Sequence, residues 1–160
     1  MPVADDIPVI LVTIDKYPLV LPIRDIRYII HAVAVTPIPD SPAFVVGAIN
    51  YHGEILPVVD LRKIFGLKDM EIAVSQYFAI VSNSQYSYAL ILDDINGQEI
   101  IAHDMLQPDA MQSFSGRAIS SAVRIGDVTH YVLNTEKIFT DADAASLIPS
   151  LTAETRGGKD

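Results

Sequence analysis

Hydrophobic residues occur along this chain in short runs rather than in long helical stretches. Ten runs of about five to eight residues are rich in Val, Ile and Tyr and end at turn-forming residues, which predicts strands. The predicted strands are Val9–Ile14, Tyr17–Ile23, Ala32–Thr36, Val46–Asn50, Ile55–Val59, Gln76–Ser82, Tyr86–Leu92, Gln98–Ala102, Ala118–Ile125 and Val128–Leu133. Their close spacing leaves little room for crossover helices, so we predict antiparallel sheets curved into barrels.

Short helical turns are predicted between some of these strands. Ser41-Pro42 places a capping residue before a proline, as at the start of many helices. The predicted turns are Arg24–Ile30, Pro42–Phe44, Leu61–Phe65 and Thr135–Phe139, and a short helix is also expected over Asp141–Ile148. The fold class is therefore mainly all-β.

Two segments of the chain resemble later segments in the same order. Tyr17–Ile26 resembles Tyr86–Ile95, which begins 69 residues later, and Val58–Phe65 resembles Val132–Phe139, which begins 74 residues later. Two matches at nearly the same offset predict two halves of like topology.

Asp60 and Asn134 occupy the same place in the two repeats. Each ends an apolar strand and precedes a predicted helical turn. Side-chain oxygens at such a position accept hydrogen bonds from the free amide groups of the turn, so we interpret both residues as structural caps.

Composition indicates a single globular domain. The chain has 160 residues, of which 50% are hydrophobic and 19% charged, and this balance is typical of a folded core. We assign residues 1–145 to the domain. Residues 150–160 are small and polar, which predicts a disordered tail.

Charge and cysteine content exclude several classes of function. Eleven Lys and Arg against twenty Asp and Glu leave a net charge of −9, which disfavours nucleic acid and anionic membrane as partners. The chain has no cysteine, which excludes disulfides and thiolate metal sites. No apolar run is long enough to span a bilayer, and the start is acidic, so we expect a cytoplasmic protein.

A search for catalytic groups finds no convergent set, so we expect no enzyme, cofactor or metal. The chain has four histidines, none at metal-ligand spacing: His31, His52, His103 and His130. Two alternatives remain open. One is a loop-built enzyme site pairing His52 with Asp60 or His130 with Asp127. The other is a β-barrel that binds a small ligand in an interior cavity.

The most patterned segment is a predicted hairpin. Asn50 and Gly53 bracket a tight turn that presents Tyr51, His52 and Glu54 to solvent, a suitable contact surface. Pro57 lies in the returning strand, which predicts an edge or a bulge there.

This hairpin resembles the signature of the CheW-like chemotaxis coupling family. That pattern reads S-P-x-x-h-x-G-h-h-N-h-R-G-x-h-h-P-h-h-D-L-R, where h is apolar. Its positions are matched by Ser41, Pro42, Gly47, Asn50, Gly53, Pro57, Asp60, Leu61 and Arg62. The likeness extends over most of the chain, including Tyr88–Ile95 and Val132–Phe139.

The resemblance implies two five-stranded SH3-like β-barrel subdomains around a shared hydrophobic core. We expect them over roughly 17–70, with strand exchange, and 76–139. It also implies a non-enzymatic adaptor, monomeric in isolation, that joins cytoplasmic chemoreceptor tips to the regulatory domain of a histidine kinase.

The implied receptor site lies in a groove between the subdomains. Its candidate residues are Ile26, Tyr28, Ile29, Gly47, Asn50, His52 and Gly53, and charging it by Ile26→Asp is expected to abolish binding without unfolding. Two positions depart from the family pattern, since His52 replaces an arginine and Tyr28 a glutamate. Histidine is mostly neutral near pH 7, so we expect a divergent member, for example one that controls surface motility.

Overall fold

The computed structural model describes residues 6–108 and 117–147. The predicted disordered tail, 150–160, lies outside the described residues. The strands are β1 (Asp6–Ile14), β2 (Tyr17–Pro22), β3 (Ile26–His31), β4 (Val45–Tyr51), β5 (Glu54–Val59), β6 (Tyr77–Ser82), β7 (Ser87–Leu92), β8 (Asp94–Ala102), β9 (Ile119–Ile125) and β10 (Val128–Leu133). The α-helices are α1 (Leu61–Phe65) and α2 (Thr135–Ile138), with a further helical segment over 141–147.

One strand lies where a helical turn is predicted. Residues Arg24–Ile30 do not form a helix, because Ile23–Asp25 is a single 3-10 turn and β3 follows it. Ala32–Thr36 is not a strand, and only Thr36 makes an isolated bridge, to Ala48. The isoleucines of β3 suit either structure locally, and antiparallel pairing with β6 decides the outcome.

The ten strands form two five-stranded sheets whose strands are exchanged between the repeats. The first sheet has the order β8-β1-β2-β10-β9 and the second β3-β6-β7-β5-β4. Each sheet therefore takes two strands from one repeat and three from the other. The predicted ranges 17–70 and 76–139 each contain strands of both sheets, so neither range is a subdomain by itself. The parallel pairs β2–β10 and β5–β7 join strands distant in the chain and impose this division.

The sequence repeat is preserved in strand register. In the first sheet Val20 pairs in parallel with Val132, and in the second Ala89 pairs in parallel with Val58. Ala89 follows Val20 by 69 positions and Val132 follows Val58 by 74, the same offsets that relate the repeated segments. The two sheets thus have equivalent central pairs.

Each sheet closes into a barrel through an isolated bridge. Thr36, beyond β3, bridges Ala48 of β4, and Gln107, beyond β8, bridges Ala122 of β9. These bridges join the two outer strands of each sheet, which would otherwise leave open edges.

The core has one shared layer and one further layer in each sheet. Side chains that alternate along the central strands point to opposite faces. Leu19 and Leu21 of β2 share one cluster with Tyr88 and Leu90 of β7. On the opposite faces, the second sheet buries a cluster around Phe78 and the first a cluster of Val9, Val20, Ile101, Val123 and Val132. Because both faces of the central strands are packed, the sequences of these strands are continuous apolar runs.

None of the helices in the described parts of the chain has the length and apolar character needed to cross a membrane.

Candidate partner-binding surface

The signature hairpin ends in a two-residue turn. Tyr51 and Glu54 form the last pair of β4 and β5, and His52 and Gly53 between them have φ values of 51° and 88°. Two left-handed residues define the hairpin turn whose twist matches that of the strands. The side chain of Asn50 accepts a hydrogen bond from the Gly53 amide at 2.8 Å, which explains the asparagine and the glycine of the signature.

Three rings form a row beside this turn, here called the aromatic row: Tyr28, Tyr51 and His52. The ring centroid of Tyr51 lies 5.3 Å from that of Tyr28 and 4.3 Å from that of His52, which stands perpendicular to it. Tyr28 is 51% exposed. Rings in contact lose little conformational entropy on binding a partner, so such a row is suited to recognition.

An ion pair borders the aromatic row. The guanidinium of Arg27 donates to Glu54 at 3.0 and 3.2 Å and to the Ser87 hydroxyl at 3.2 Å. It thereby links β3 to β5 and β7. Both charged side chains are substantially exposed, so the pair orients the surface more than it stabilises the fold.

The predicted receptor-site residues divide into two groups. Asn50, His52 and Gly53 form the turn, Tyr28 lies against it, and Ile29 is 38% exposed on the same strand as Tyr28.

Gly47 and Ile26 are engaged inside the protein. A Cβ atom on Gly47 would lie 2.3 Å from the carbonyl oxygen of Thr36, so glycine there permits a close backbone approach. Ile26 is half-buried and packs against the shared core. The Ile26→Asp test therefore cannot separate loss of binding from loss of folding.

A groove of about 300 Å³ runs beside the hairpin. Its lining residues are Glu54, Ile55, Leu56, Pro57, Gln85, Tyr86, Ser87, Phe139, Ala144 and Leu147. One wall is β5, and the other includes the helical segment 141–147. Glu54 and Ser87 belong both to the groove and to the ion-pair cluster around Arg27, so the groove is continuous with the aromatic row.

Sequence reasoning missed Tyr86 and Leu147, which meet Pro57 only through the fold. Pro57 itself lies in β5, which is not an outer strand but runs between β4 and β7. Parallel pairing with β7 involves only Val58 and Val59. Pro57 therefore precedes that ladder, where its missing N–H leaves no hydrogen bond unmade.

Hydrogen bonds hold the second wall of the groove in place. Asn83, in the β6–β7 turn, donates from Nδ2 to the Phe139 carbonyl at 2.9 Å. The Tyr86 hydroxyl donates to Asp141 at 2.6 Å, and this bond to a carboxylate raises the pKa of Tyr86. The segment that follows β10, the last strand of the first sheet, is therefore held by hydrogen bonds to the β6–β7 turn of the second sheet.

The two predicted caps differ in geometry. Asp60 is the N-cap of α1, and its carboxylate accepts from the Arg62 amide at 3.0 Å. Burial raises the pKa of Asp60. Asn134 stands at the N-cap position of α2, but its side chain makes no capping hydrogen bond, so the cap predicted there is wrong. The Glu136 side chain of α2 instead accepts from the Ser84 amide and hydroxyl.

The residues of the two alternative acid–base pairs have other partners. Asp60 caps α1, while His130 Nδ1 lies 3.2 Å from the Val128 carbonyl oxygen and Asp127 pairs with Arg124 at 3.8 Å. Within 6–108 and 117–147, no three His, Cys, Asp or Glu side chains gather as a metal site.

The described parts of the chain thus combine two closed five-stranded sheets with a shared core, a signature hairpin and an adjoining groove. The family model of the CheW-like domain matches residues 8–143. The chain belongs to the CheW-like family and is a coupling or scaffold protein of the chemotaxis type.

Individual relatives and a solved structure agree with this assignment. The chain is 27% identical over 131 residues to the chemotaxis protein CheW of Treponema pallidum, covering 78% of this chain and 77% of that protein. It is 43% identical over 54 residues to CheW of Thermotoga maritima, covering 34% and 36%. It is 26% identical over 89 residues to protein FrzA of Myxococcus xanthus, covering 55% and 56%. For the last two, the match spans about a third to about half of the relative's length.

The fold also matches a crystal structure, that of the scaffolding protein TtCheW from Thermoanaerobacter tengcongensis. The TM-score is 0.76 at 22% identity, and the match covers 83% of this chain and 92% of that one. This agreement establishes the two-subdomain SH3-like fold.

Proposed function

We propose that this chain couples the cytoplasmic tips of chemoreceptor-type proteins to the regulatory domain of a histidine kinase. It acts without catalysis, in the cytoplasm, at membrane-associated receptor arrays. The observation that carries this proposal is the exposed aromatic row beside an open apolar groove, built on the signature hairpin of the family.

The surface suits a helical partner. A helix that docks in a groove needs apolar anchors at helical spacing and a matching apolar trough. Half-buried Ile55 lines the groove above the buried Pro57 and Leu147, and Tyr28 and Tyr51 supply flat anchors beside it. The receptor tip, as a helix hairpin, is the partner assigned to this surface.

The charge of the surface indicates a divergent pathway. The signature arginine is His52, and the charge of Arg27 is already paired with Glu54. A partner carboxylate would therefore meet less positive charge here than in a member with arginine at position 52. For this divergent pathway we propose an output such as surface motility.

Calorimetry with purified partners tests the proposal. The whole chain is titrated with soluble fragments of receptor tips and with kinase regulatory domains from the same cell. We expect saturable complexes with Kd near 1 μM, about −8 kcal/mol. Tyr28→Ala should weaken the receptor complex at least tenfold, because it removes an exposed anchor.

The matched control is Val128→Ala, which removes another half-exposed side chain, 49% exposed, from the first sheet. It should bind like the parent protein. Absence of binding to every receptor and kinase fragment, with the protein fully folded, would contradict the proposal. An equal loss of receptor affinity in both variants would show that the aromatic row is not the receptor-binding surface.

A further inference from the structure

The chain crosses between the two sheets twice, and each crossover carries an aspartate bonded by a short helix. Between β2 and β3, Asp25 accepts a hydrogen bond at 3.0 Å from the hydroxyl of Thr135 in α2. Between β7 and β8, Asp93 accepts a hydrogen bond from the guanidinium of Arg62 in α1. α1 and α2 occupy equivalent places in the repeat, but the bonded residues differ by one position, since at the offsets of 69 and 74 Asp25 corresponds to Asp94 and Arg62 to Glu136.

Of these two contacts, the one made by Arg62 is an ion pair. Its side chain is only 7% exposed, and Nη1 lies 3.8 Å from a carboxylate oxygen of Asp15. Asp15 belongs to the β1–β2 turn of the first sheet, whereas α1 directly continues β5 of the second. Arg62 therefore reaches from one sheet to the other.

Asp93 is the point on which this network converges. Its carboxylate also accepts from the Gln76 side chain at 2.8 Å and from the Asp15 amide at 2.6 Å. Its own amide donates to the carbonyl of Thr13 in β1 at 2.9 Å. The crossover residue is thus held by groups of both sheets.

We propose that Arg62 is a positioning residue that sets the placement of the first sheet relative to the second. A buried guanidinium with a carboxylate partner fixes both distance and direction, because its donors have a rigid planar geometry.

A purely stabilising role is the competing explanation. Removing one partner of a buried ion pair lowers stability in either case. Only a positioning role changes the distance between the sheets in protein that remains folded, so that distance is the decisive readout.

Electron–electron distance measurements between two spin labels provide it. The chain has no cysteine, so Glu99→Cys on β8 and His31→Cys on β3 place single labels on exposed positions of the first and second sheets. In this background we compare Arg62→Met and Arg62→Lys with Arg124→Met. Arg124 is 66% exposed, and its contacts with the Gly126 carbonyl at 3.3 Å and with Asp127 at 3.8 Å stay within its own hairpin.

Arg62→Met should shift or broaden the distance distribution beyond that of the parent, and Arg62→Lys should do so less. Arg124→Met should leave it unchanged. Circular dichroism and urea unfolding on the same samples show that the protein is folded. A parent-like distribution in folded Arg62→Met, with only a lower unfolding midpoint, would overturn the proposal.

Asp15→Asn provides a milder variant if Arg62→Met does not fold. Asp15 has φ of 56°, a conformation that asparagine also tolerates, so this change removes the charge without backbone strain. We expect a smaller broadening, and an unchanged distribution would again overturn the proposal. The measurement needs no binding partner, so its failure is distinct from failure of the proposed coupling function.

Discussion

The ring of Tyr28 on β3 lies 5.3 Å from the ring of Tyr51 on β4, although β3 and β4 are the two outer strands of their sheet. The sheet must curl until its outer strands meet for this contact to exist. The meeting point lies next to the signature turn, so closure of the barrel also assembles the proposed binding surface.

The first prediction concerns Tyr51, the middle ring of the aromatic row. Tyr51→Ala removes ring contacts to Tyr28 and His52, and aromatic pairs contribute about 0.5–1.5 kcal/mol each beyond burial. We expect the free energy of unfolding in urea to fall by about 2–3 kcal/mol and receptor binding to be lost. Tyr51→Phe keeps the ring and should behave like the parent in both measurements. Parent-like receptor affinity in folded Tyr51→Ala would contradict the assigned surface.

The second prediction compares two glycines. Gly47→Ala places a Cβ 2.3 Å from the Thr36 carbonyl oxygen and 2.5 Å from a methyl group of Val35, at φ of 156°. Gly97→Ala has a similar φ of 144° but nothing within 4 Å of its Cβ. Urea unfolding should show a larger loss for Gly47→Ala, by about 1–3 kcal/mol, because only that variant forces the barrel-closing segment away. Equal losses would mean that backbone strain alone requires glycine at position 47.

The third prediction concerns the cap of α1. Asp60→Ala removes the acceptor for the Arg62 amide and should cost about 1 kcal/mol, whereas Asp60→Asn keeps an acceptor and should cost less. Desolvation raises the pKa of Asp60, so protonation of Asp60 favours the folded state. The stability of the parent relative to Asp60→Asn should therefore rise as pH falls towards about 4, the usual pKa of an aspartate. Parallel stability curves for the two proteins would contradict the burial of a charged cap.

The fourth prediction concerns the buried hydroxyl of Tyr88, which donates to the Thr135 carbonyl at 2.6 Å. Burial raises the pKa of Tyr88 well above the usual value, so the folded state keeps this proton where the unfolded state releases it. Its contribution to stability is complete below about pH 10 and declines as pH rises further. Tyr88→Phe should cost about 1 kcal/mol near pH 8 and show a smaller alkaline decline. If the free energy of unfolding in urea declines with the same slope above about pH 10 in both proteins, a group other than Tyr88 causes the decline.

Local patterns in the sequence determined the strands, the signature turn and the repeat. The turn of His52 and Gly53 and the extent of α1 follow from short-range rules, because left-handed backbone, hairpin twist and helix capping each involve only a few neighbouring residues. The offset between Val20 and Ala89 likewise survives as equivalent strand register. At β3, by contrast, isoleucines compatible with helix or strand took the structure that pairing with β6 required.

Only the tertiary structure decided which strands share a sheet and which residues form the groove. The exchange of strands between repeats depends on parallel pairs such as Val58 with Ala89, and parallel pairing leaves no local turn signal in the sequence. Tyr86 and Leu147 both line the groove, and Arg62 forms an ion pair with Asp93. The residues of each pair are distant in the sequence and come together only because the chain crosses between the sheets. The sequence by itself determined most strands, the signature turn and the family. Long-range strand pairing decided which residues form the surface beside the hairpin.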